Sequence, residues 1–409
     1  MIILFEPQCR GYSHEQFNAG FLFGYILANP NENIVFCAEK GHIKCIQNIF
    51  ISANLSLKGI QFVDTEIPES NALSKVKTIL VYYRLFNKLL HYASKNNCNK
   101  IVFLSIYSYN LIPLKFLLLS KNYKIIEFNI AMHGTLEFIK KKNISLLYNS
   151  LKKVKNRLNK TFGITNKKTN YSPTNKFLYE KLFKTSLQLF GNKNINYLVF
   201  RNDSLAKLKT YIPKIQQNFK CIDLPYIFKQ CTYSIESPLP NIKIFGTLGQ
   251  GDLRAVYELV KRLNLNKIKV NDYEIRIIGG AKTQNLVDYS QIKIIGNNIK
   301  LTREKIEEEI KYVQYLLFFY SEDSYELTTS GSFLDAIAYC KPIIFLKNPC
   351  LDYYYQNYNF GYRCENTNEI VNTLENIIRD KEENYIKFIS EIKRMQNDIS
   401  ISKNYYKLN

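Results

Sequence analysis

The sequence has no tryptophan, only three methionines and four histidines, and nine cysteines scattered along 409 residues. It contains no Cys-x-x-Cys pair and no cluster of cysteine with histidine, which argues against a zinc site and against a disulfide framework. We therefore expect reduced thiols and a cytoplasmic protein.

Long apolar runs are also missing. No run of about 18 apolar residues occurs, so the sequence predicts no transmembrane helix. The first residues, MIILFEPQ, have neither a basic lead nor a small-residue cleavage site. They predict the first strand of a domain rather than a signal peptide.

Acidic residues are scarce, with 35 Asp and Glu against 56 Lys and Arg and a formal net charge of +21. The abundance of Asn, Lys, Ile and Tyr indicates AT-rich coding, so part of this charge follows from composition. Residues 139–168, however, hold ten basic residues and no acidic one. Apolar residues are interleaved with them near helical spacing, which predicts a basic amphipathic helix on an anionic lipid surface. A solvated helix packed on the core is the alternative.

Strand-like and helix-like segments alternate from one end of the chain to the other, which is typical of parallel α/β sheets. A cluster of Ser, Pro and polar residues at 229–241 predicts a domain boundary. We therefore predict a first domain at 1–230 and a second at 241–381. The charged helical segment at 382–409 is expected to pack back on the first domain.

The most informative stretch runs from residue 316 to residue 346. Residues 316–320 predict a buried strand, 321–332 a polar loop, 333–339 a helix and 343–346 the next buried strand. A loop in this position lies at the carboxyl end of a strand and at the start of a helix, where open α/β sheets bind ligands. The helix N-terminus with hydroxyl groups beside it would suit a phosphate. The candidates are the hydroxyls of Thr329, Ser330 and Ser332, together with Gly331.

This stretch resembles the signature of GT-B glycosyltransferases of the group 1 kind, which use nucleotide-sugars. The resemblance rests on Glu326 in the loop, on Asp335 with Ala336 in the helix, and on the closing residues 341–344, KPII. It implies two Rossmann-like domains with parallel sheets facing across a cleft. It also implies that Asp335 holds the donor ribose and that the loop with Glu326 holds the diphosphate and sugar. Asp335 stands where the family has Glu, and its spacing from Glu326 is one residue longer than usual.

Two more segments of the second domain are candidates for donor binding. The segment 246–252, GTLGQGD, is interpreted as a glycine-bearing loop after the strand 242–245, with Gly246 and Thr247 near the phosphates. The family usually has Arg or Lys here, so charge compensation is expected from elsewhere, with Arg254 and Lys282 as candidates. Gly279, before Gly280, follows another predicted strand. A plain turn is the alternative for each glycine segment.

The first domain offers candidates for the acceptor side. His133 follows a buried strand, where a histidine could donate a hydrogen bond or take a proton. The alternative is a histidine whose hydrogen bonds are satisfied within a loop. The resemblance to GT-B enzymes implies that the first strand-to-helix loop, with Arg10 and Gly11, approaches the transferred sugar and the acceptor. His14 or Glu15 could serve as the general base of an inverting enzyme. The alternative for Glu15 is a favourable first-turn residue of a helix.

The sequence thus predicts a hexosyl- or related transferase that moves a sugar from a nucleotide-diphosphate donor to a glycan or lipid-linked glycan. Bacterial surface polysaccharide synthesis, at the inner face of the cytoplasmic membrane, is the expected setting. No metal or cofactor is expected, because no Asp-x-Asp motif follows a strand and helix termini can stabilise the departing diphosphate. One alternative is a non-catalytic sugar- or lipid-binding subunit of the same fold. A nucleic-acid-binding protein is a second alternative, although no such motif is visible.

Overall fold

A computed structural model describes residues 1–68, 75–120, 123, 125–139, 187, 194–212, 218–228, 242–249, 253–279, 289–296, 301–381 and 383–408. By their contacts these residues form two compact units. The first unit comprises Met1–Ser13, Asn29–Gln47 and Ser56–Ile222, and the second comprises His14–Ala28, Asn48–Leu55 and Asp223–Asn409. The basic segment predicted at 139–168 lies outside the described residues except for Ile139.

Seven parallel strands form the sheet of the first unit, in the order β3-β2-β1-β4-β5-β6-β7. They are β1 (Ile2–Phe5), β2 (Ile34–Ala38), β3 (Ile60–Asp64), β4 (Lys100–Phe103), β5 (Glu127–Ala131), β6 (Ile195–Val199) and β7 (Asn218–Cys221). The helices that follow β2 to β4 and β6 are α2 (Lys40–Ser52), α3 (Lys75–Lys95), α4 (Ser108–Ser120) and α5 (Asn202–Tyr211). Every residue of β1 is buried, as expected for a central parallel strand covered on both faces.

Aromatic side chains fill the centre of the first unit. The Phe5, Phe86 and Phe103 rings meet edge to face, with centroids 5.4 to 6.2 Å apart. Phe5 and Phe103 are neighbours in the register of β1 and β4. Their contact with Phe86 fixes α3 against the middle of the sheet.

The second unit contains a parallel sheet of six strands in the order β10-β9-β8-β11-β12-β13. These are β8 (Lys243–Leu248), β9 (Tyr273–Ile278), β10 (Ile292–Ile295), β11 (Tyr315–Phe318), β12 (Ile343–Leu346) and β13 (Gly361–Cys364). Its helices are α1 (Glu15–Ala28), α6 (Leu253–Leu265), α7 (Arg303–Ile310), α8 (Gly331–Ala338), α9 (Pro349–Tyr355), α10 (Thr367–Ile378), α11 (Tyr385–Ile399) and α12 (Ile401–Asn404). The predicted α/β class with two parallel sheets is confirmed.

The C-terminal segment contacts α1. A Cβ added to Gly24 would lie 2.6 Å from a methyl carbon of Leu408 and 2.8 Å from Ile401. Helix α1 and the C-terminal segment therefore pack too closely for a side chain at this position. The sequence prediction placed α1 in a first domain ending near residue 230, whereas the contacts group α1 with the second sheet. Among the described residues, no helix is both long and apolar enough to cross a bilayer.

Candidate functional site

The second sheet changes direction between β8 and β11. From β8 the chain moves outward through β9 to β10, and β11, β12 and β13 then add on the opposite side of β8. Ligands of open α/β sheets bind outside the carboxyl ends of the strands at such a switch point. A ligand site in this unit is therefore expected at the loops that follow β8, β9 and β11.

Those three loops touch one another. Gly249 follows β8 with a φ of 77°, and a Cβ added there would lie 3.3 Å from the Ser332 hydroxyl on α8. Gly279 follows β9 with a φ of 130°, and its added Cβ would lie 3.1 Å from the Cα of Gly249. The Gly249 N–H donates to the Ile278 carbonyl at 3.0 Å. Glycine at both positions lets the backbones of two strand ends meet the start of α8.

Helix α8 begins two residues earlier than the sequence predicted. Ser330 is its N-cap, and the Ser330 hydroxyl accepts from the Phe333 N–H at 3.2 Å. The Tyr320 hydroxyl lies 2.7 Å from the same oxygen. The first N–H groups of the helix, at Gly331 and Ser332, have no carbonyl of their own helix to bond, and the helix dipole makes this end attractive to an anion.

Neighbouring side chains hold the loop before α8 in place. Asn348 donates to the carbonyls of Ser321 and Ser324 at 2.9 and 2.8 Å while its side-chain oxygen caps α9. The Tyr320 and Tyr325 rings lie 4.7 Å apart, and Tyr325 adopts a φ of 57°. Contacts within the protein thus fix the start of α8 without a ligand.

Two buried threonines next to these loops have no hydrogen-bond partner within the described part of the chain. Thr247 is 2% exposed and Thr329 is 1% exposed. Among the described residues, neither hydroxyl makes a hydrogen bond. A buried hydroxyl without a partner costs free energy, so such groups are expected where a ligand or a water completes them.

The structure corrects the predicted boundary of the loop after β8. Gly246 and Thr247 lie inside the strand rather than in a loop. A Cβ on Gly246 would lie 3.0 Å from Val313 and 3.1 Å from Leu316, so this glycine serves core packing. The turn glycine is Gly249, which the sequence reasoning did not single out, although it is the second glycine of the same segment.

Asp335 sits in the second turn of α8 and is held by two side chains. Arg303 on α7 donates to Asp335 Oδ1 at 2.7 Å, and the buried Tyr226 hydroxyl donates to the same oxygen. Burial and then the Asp335 charge raise the pKa of Tyr226, so its hydroxyl keeps its proton. Burial opposes the Arg303 charge, but Asp335 outweighs it and raises the pKa of the guanidinium.

This arrangement bears on the ribose role that the resemblance implies for Asp335. Both hydrogen bonds end on Oδ1, and in the described part of the chain none ends on Oδ2. The Arg303 guanidinium also stacks over the Tyr339 ring at 5.0 Å. One carboxylate oxygen therefore anchors the helix, and the other remains a possible acceptor for a ligand hydroxyl.

Other predicted donor residues lie nearby or outside the described chain. Glu326 is half-buried in the loop before α8, two residues after Ser324. Arg254 is exposed in the first turn of α6, whereas Gly280 and Lys282 lie outside the described residues. Among the residues that are described, no group of three or more His, Cys, Asp or Glu side chains could hold a metal. The absence of a required metal stays a prediction.

The first unit has its own cluster at the strand ends. Glu6 follows β1, is fully buried, and accepts from the N–H groups of Gln8 and Cys9 at 2.8 and 2.9 Å. The Ser105 hydroxyl, after β4, donates to the same Glu6 oxygen. Because β1 and β4 flank the switch point of this sheet, Glu6 ties the two loops together there.

Glu39, after β2, holds Gly11 in the loop that follows β1. Its carboxylate accepts from the N–H groups of Gly41 and His42 at 2.8 and 2.9 Å, and from Gly11 at 3.3 Å. The ring of the fully buried His42 lies 2.7 Å from the Gly11 carbonyl through Nδ1. Burial opposes ionisation, but these backbone donors keep the pKa of Glu39 below its ordinary value.

The remaining predicted acceptor-side residues occupy separate places. His133 is half-buried after β5, with its ring 6.3 Å from Phe200, and the Thr135 hydroxyl after it donates to the Ile106 carbonyl at 2.7 Å. Arg10 donates to the Ile67 carbonyl. His14 is exposed with a φ of 53°, and Glu15 is the first residue of α1, as the first-turn alternative required.

Sequence reasoning missed several residues of these clusters. Three of them stand at the carboxyl end of a strand: Glu6 directly follows β1, Glu39 directly follows β2, and Asn348 is the second residue after β12. That position was the signal that could have identified them. Arg303 and Tyr226 carried no such signal, because each reaches Asp335 from a distant part of the chain.

No protein-family model and no characterised protein sequence matches the chain. Solved structures do match. Sucrose-phosphate synthase from Thermosynechococcus elongatus superposes with a TM-score of 0.62 at 11% identity, covering 100% of this chain and 97% of that chain. WaaG, a glycosyltransferase involved in lipopolysaccharide biosynthesis, gives 0.59 at 8% identity over 100% and 98%. Anabaena Alr3699/HepE, solved with UDP and glucose, gives 0.56 at 10% identity over 99% and 97%. Such low identities establish the fold alone, and the chain has the GT-B glycosyltransferase fold.

Proposed function

We propose that the chain is a glycosyltransferase that moves a sugar from a nucleotide-diphosphate donor to a glycan or lipid-linked glycan acceptor. Bacterial surface polysaccharide synthesis, at the inner face of the cytoplasmic membrane, is the proposed setting. The fold supports this, since WaaG is a glycosyltransferase involved in lipopolysaccharide biosynthesis and HepE was solved with UDP-glucose. The observation that carries the proposal is the meeting of Gly249, Gly279 and the start of α8, next to two buried threonine hydroxyls that no described residue bonds.

The diphosphate is proposed to bind at the start of α8. The N–H groups of Gly331 and Ser332 would donate to it, and the helix dipole would favour its negative charge. Thr329 and Thr247 would add hydroxyl donors from the adjoining loop and strand. These fixed donors would stabilise the charge that develops on the departing diphosphate.

The ribose is proposed to bind at Asp335. A ribose hydroxyl would donate to Oδ2 while Oδ1 stays bound to Arg303 and Tyr226. Glu326 keeps its proposed place near the sugar in the same loop. Because Arg303 and Tyr226 hold the carboxylate in one orientation, the ribose would meet a preorganised acceptor.

The acceptor is proposed to bind near the strand ends of the first unit. Gly11 and Arg10 would form the loop that approaches the sugar, and Glu39 and His42 would hold that loop in position. His133, His14 and Glu15 are the candidates for proton transfer. A histidine is suited to that role because its ordinary pKa lies near neutral pH.

The test is calorimetry with UDP-, GDP-, CMP- and TDP-sugars on the full chain. We expect tight binding of at least one donor. Thr329→Val and Thr247→Val should each weaken that binding roughly tenfold, the worth of one hydrogen bond to a charged group. Their thermal midpoints should stay unchanged or rise, because neither hydroxyl has a hydrogen bond to a described residue to lose. The matched control is Thr210→Val, since Thr210 is exposed in the first unit.

A chain that binds none of these donors would contradict the proposal. Valine variants that bind a donor as well as the unaltered chain does would contradict the placement of the diphosphate. Donor hydrolysis, measured for each sugar nucleotide that binds, then reports whether the site is catalytic.

A non-catalytic member of the fold is the second candidate. It is favoured by the sequence around α8, which has no Lys or Arg between Lys311 and Lys341 to neutralise a diphosphate. Such a protein would bind a nucleotide or a sugar without releasing free sugar from any donor. Binding in the calorimeter together with no hydrolysis or transfer would establish this alternative.

A further inference from the structure

Helices α3 and α4 cover the same face of the first sheet. Phe86 of α3 contacts Phe5 and Phe103, and the Lys115 ammonium of α4 lies over the Tyr197 ring at 5.6 Å. Phe5, Phe103 and Tyr197 stand on one rung of the sheet, because the register pairs β1 with β4, β4 with β5 and β5 with β6 at these positions. The outer sides of α3 and α4 therefore point the same way, away from the sheet.

Large apolar side chains protrude from that outer side. On α3, Leu80 and Tyr83 are 53% and 39% exposed, and on α4, Phe116 and Leu119 are 54% and 49% exposed. Each pair is separated by three positions, so its members lie on one helix face. Single exposed apolar residues need no explanation, but four on two adjoining helices indicate an interaction surface.

Both helices carry charge of one sign only. Residues 70–126 contain nine Lys or Arg and no Asp or Glu. Lys77, Arg84 and Lys88 are exposed on α3 and continue the stripe of Leu80 at helical spacing. We define the α3–α4 surface by these three basic residues with Leu80, Tyr83, Phe116 and Leu119.

We propose that the α3–α4 surface docks on an anionic phospholipid membrane. The apolar side chains insert between the headgroups, and the basic residues contact lipid phosphates. The absence of acidic residues over this stretch favours lipid over a second copy of the chain, because two like-charged basic surfaces repel each other. The docking rests on this surface alone and does not depend on sugar transfer.

The test is co-sedimentation of the full chain with vesicles of phosphatidylcholine or of equal parts phosphatidylcholine and phosphatidylglycerol. Phe116→Ser with Leu119→Ser removes the apolar contacts of α4. Lys77→Gln with Arg84→Gln and Lys88→Gln removes the charge on α3. The matched control is Leu265→Ser with Ile386→Ser, which changes two side chains of the second unit that are 72% and 66% exposed. Circular dichroism checks that each variant is folded.

We expect binding to the anionic vesicles and little binding to the neutral ones. The charge variant should bind roughly a hundredfold more weakly, since each basic residue near an anionic surface contributes about 1 kcal/mol. The serine variant should also lose binding, and the control should keep it.

Three results would overturn the proposal. The first is an unaltered chain that does not sediment with anionic vesicles. The second is loss of binding only when Lys152, Lys153, Lys155 and Arg157 become Gln, which would move the lipid contact to the basic segment at 139–168. The third is a dimer in size-exclusion chromatography that Phe116→Ser with Leu119→Ser dissociates, which would make the surface an interface between copies.

Discussion

Replacing Asp335 with alanine should destabilise the second unit by leaving the Arg303 guanidinium without its counter-charge. The two side chains are 25% and 14% exposed, and their nitrogen and oxygen lie 2.7 Å apart. Breaking one side of a buried ion pair costs about 3 to 5 kcal/mol. Because Asp335 keeps some contact with water, we expect the lower end, about 3 kcal/mol. The Arg303 Nε has no hydrogen-bond partner among the described residues and cannot compensate.

The reverse substitution gives the second corner of a double-mutant cycle. Arg303→Met keeps much of the side-chain length over the Tyr339 ring but removes the charge. It should cost about 2 kcal/mol, because Asp335 keeps the Tyr226 hydroxyl as a donor. In the double variant, the second substitution removes the very charge that the first left unpaired. We therefore expect a total loss about 1 to 2 kcal/mol smaller than the sum of the single losses.

The free energy of unfolding is measured by urea titration with circular dichroism, since the chain has no tryptophan for fluorescence. Single losses that add within about 0.5 kcal/mol in the double variant would refute the coupling. The same four proteins also test the ribose proposal. If Asp335 Oδ2 binds ribose, both variants that lack Asp335 should lose the same affinity for the nucleotide, and Arg303→Met should lose less.

Three further predictions concern buried groups outside this pair. Burial lowers the pKa of Lys115 from 10.5 to about 8. Below about pH 8 the buried ammonium is charged and destabilises the folded state, so the free energy of unfolding should rise as the pH increases from 8 toward 10.5. Lys115→Met should therefore raise the free energy of unfolding at pH 7 by about 2 kcal/mol, after allowing for the lost contact with the Tyr197 ring, and the gain should shrink near pH 10. Glu39→Ala should speed amide hydrogen exchange at Gly11 by roughly tenfold, because the carboxylate that accepts from that N–H is gone. The contribution of the Glu39 carboxylate to the free energy of unfolding should be complete above the ordinary pKa of 4.5 and should be lost as the pH falls through the lowered pKa. The Glu39→Ala variant should show no such loss. Gly20→Ala should lower the thermal midpoint, since its Cβ would lie 2.4 Å from the Pro225 carbonyl oxygen, and an unchanged midpoint would contradict this close packing.

The strands that the sequence predicted best are the buried ones. The bounds of β12 match the predicted strand at 343–346, and β1 lies within the predicted first strand, because a short apolar run between polar residues has few alternatives in a parallel sheet. Strands β10 and β13 were not predicted. They lie at the two edges of the second sheet, and Gly361–Cys364 mixes glycine and arginine into a partly exposed strand. Edge strands lack the continuous apolar run on which the prediction depends.

The candidate site was predictable where it depends on local order along the chain. Ser330, Gly331 and Ser332 follow from the strand–loop–helix pattern, although the helix begins at Gly331 rather than at residue 333. The role of Gly246 could not be read in this way, because its need for glycine comes from Val313 on a distant segment. The same holds for the bonds that Arg303 and Tyr226 make to Asp335. Long-range contacts of this kind leave no periodic trace in a sequence.

The threonines give the strongest physical reason to expect a ligand at the start of α8. A hydroxyl buried without a partner costs about 1 to 3 kcal/mol, and valine would fill the same volume without that cost. Thr247 lies in β8 two residues before Gly249, and Thr329 directly precedes the N-cap of α8, so both threonines adjoin the segments that meet at Gly249 and Ser332. A ligand with acceptor oxygens at the helix start would satisfy both hydroxyls and the first helix N–H groups together. If Thr329→Val and Thr247→Val leave stability lower instead of equal or higher, the hydroxyls have partners within the fold and this reason for a phosphate site disappears.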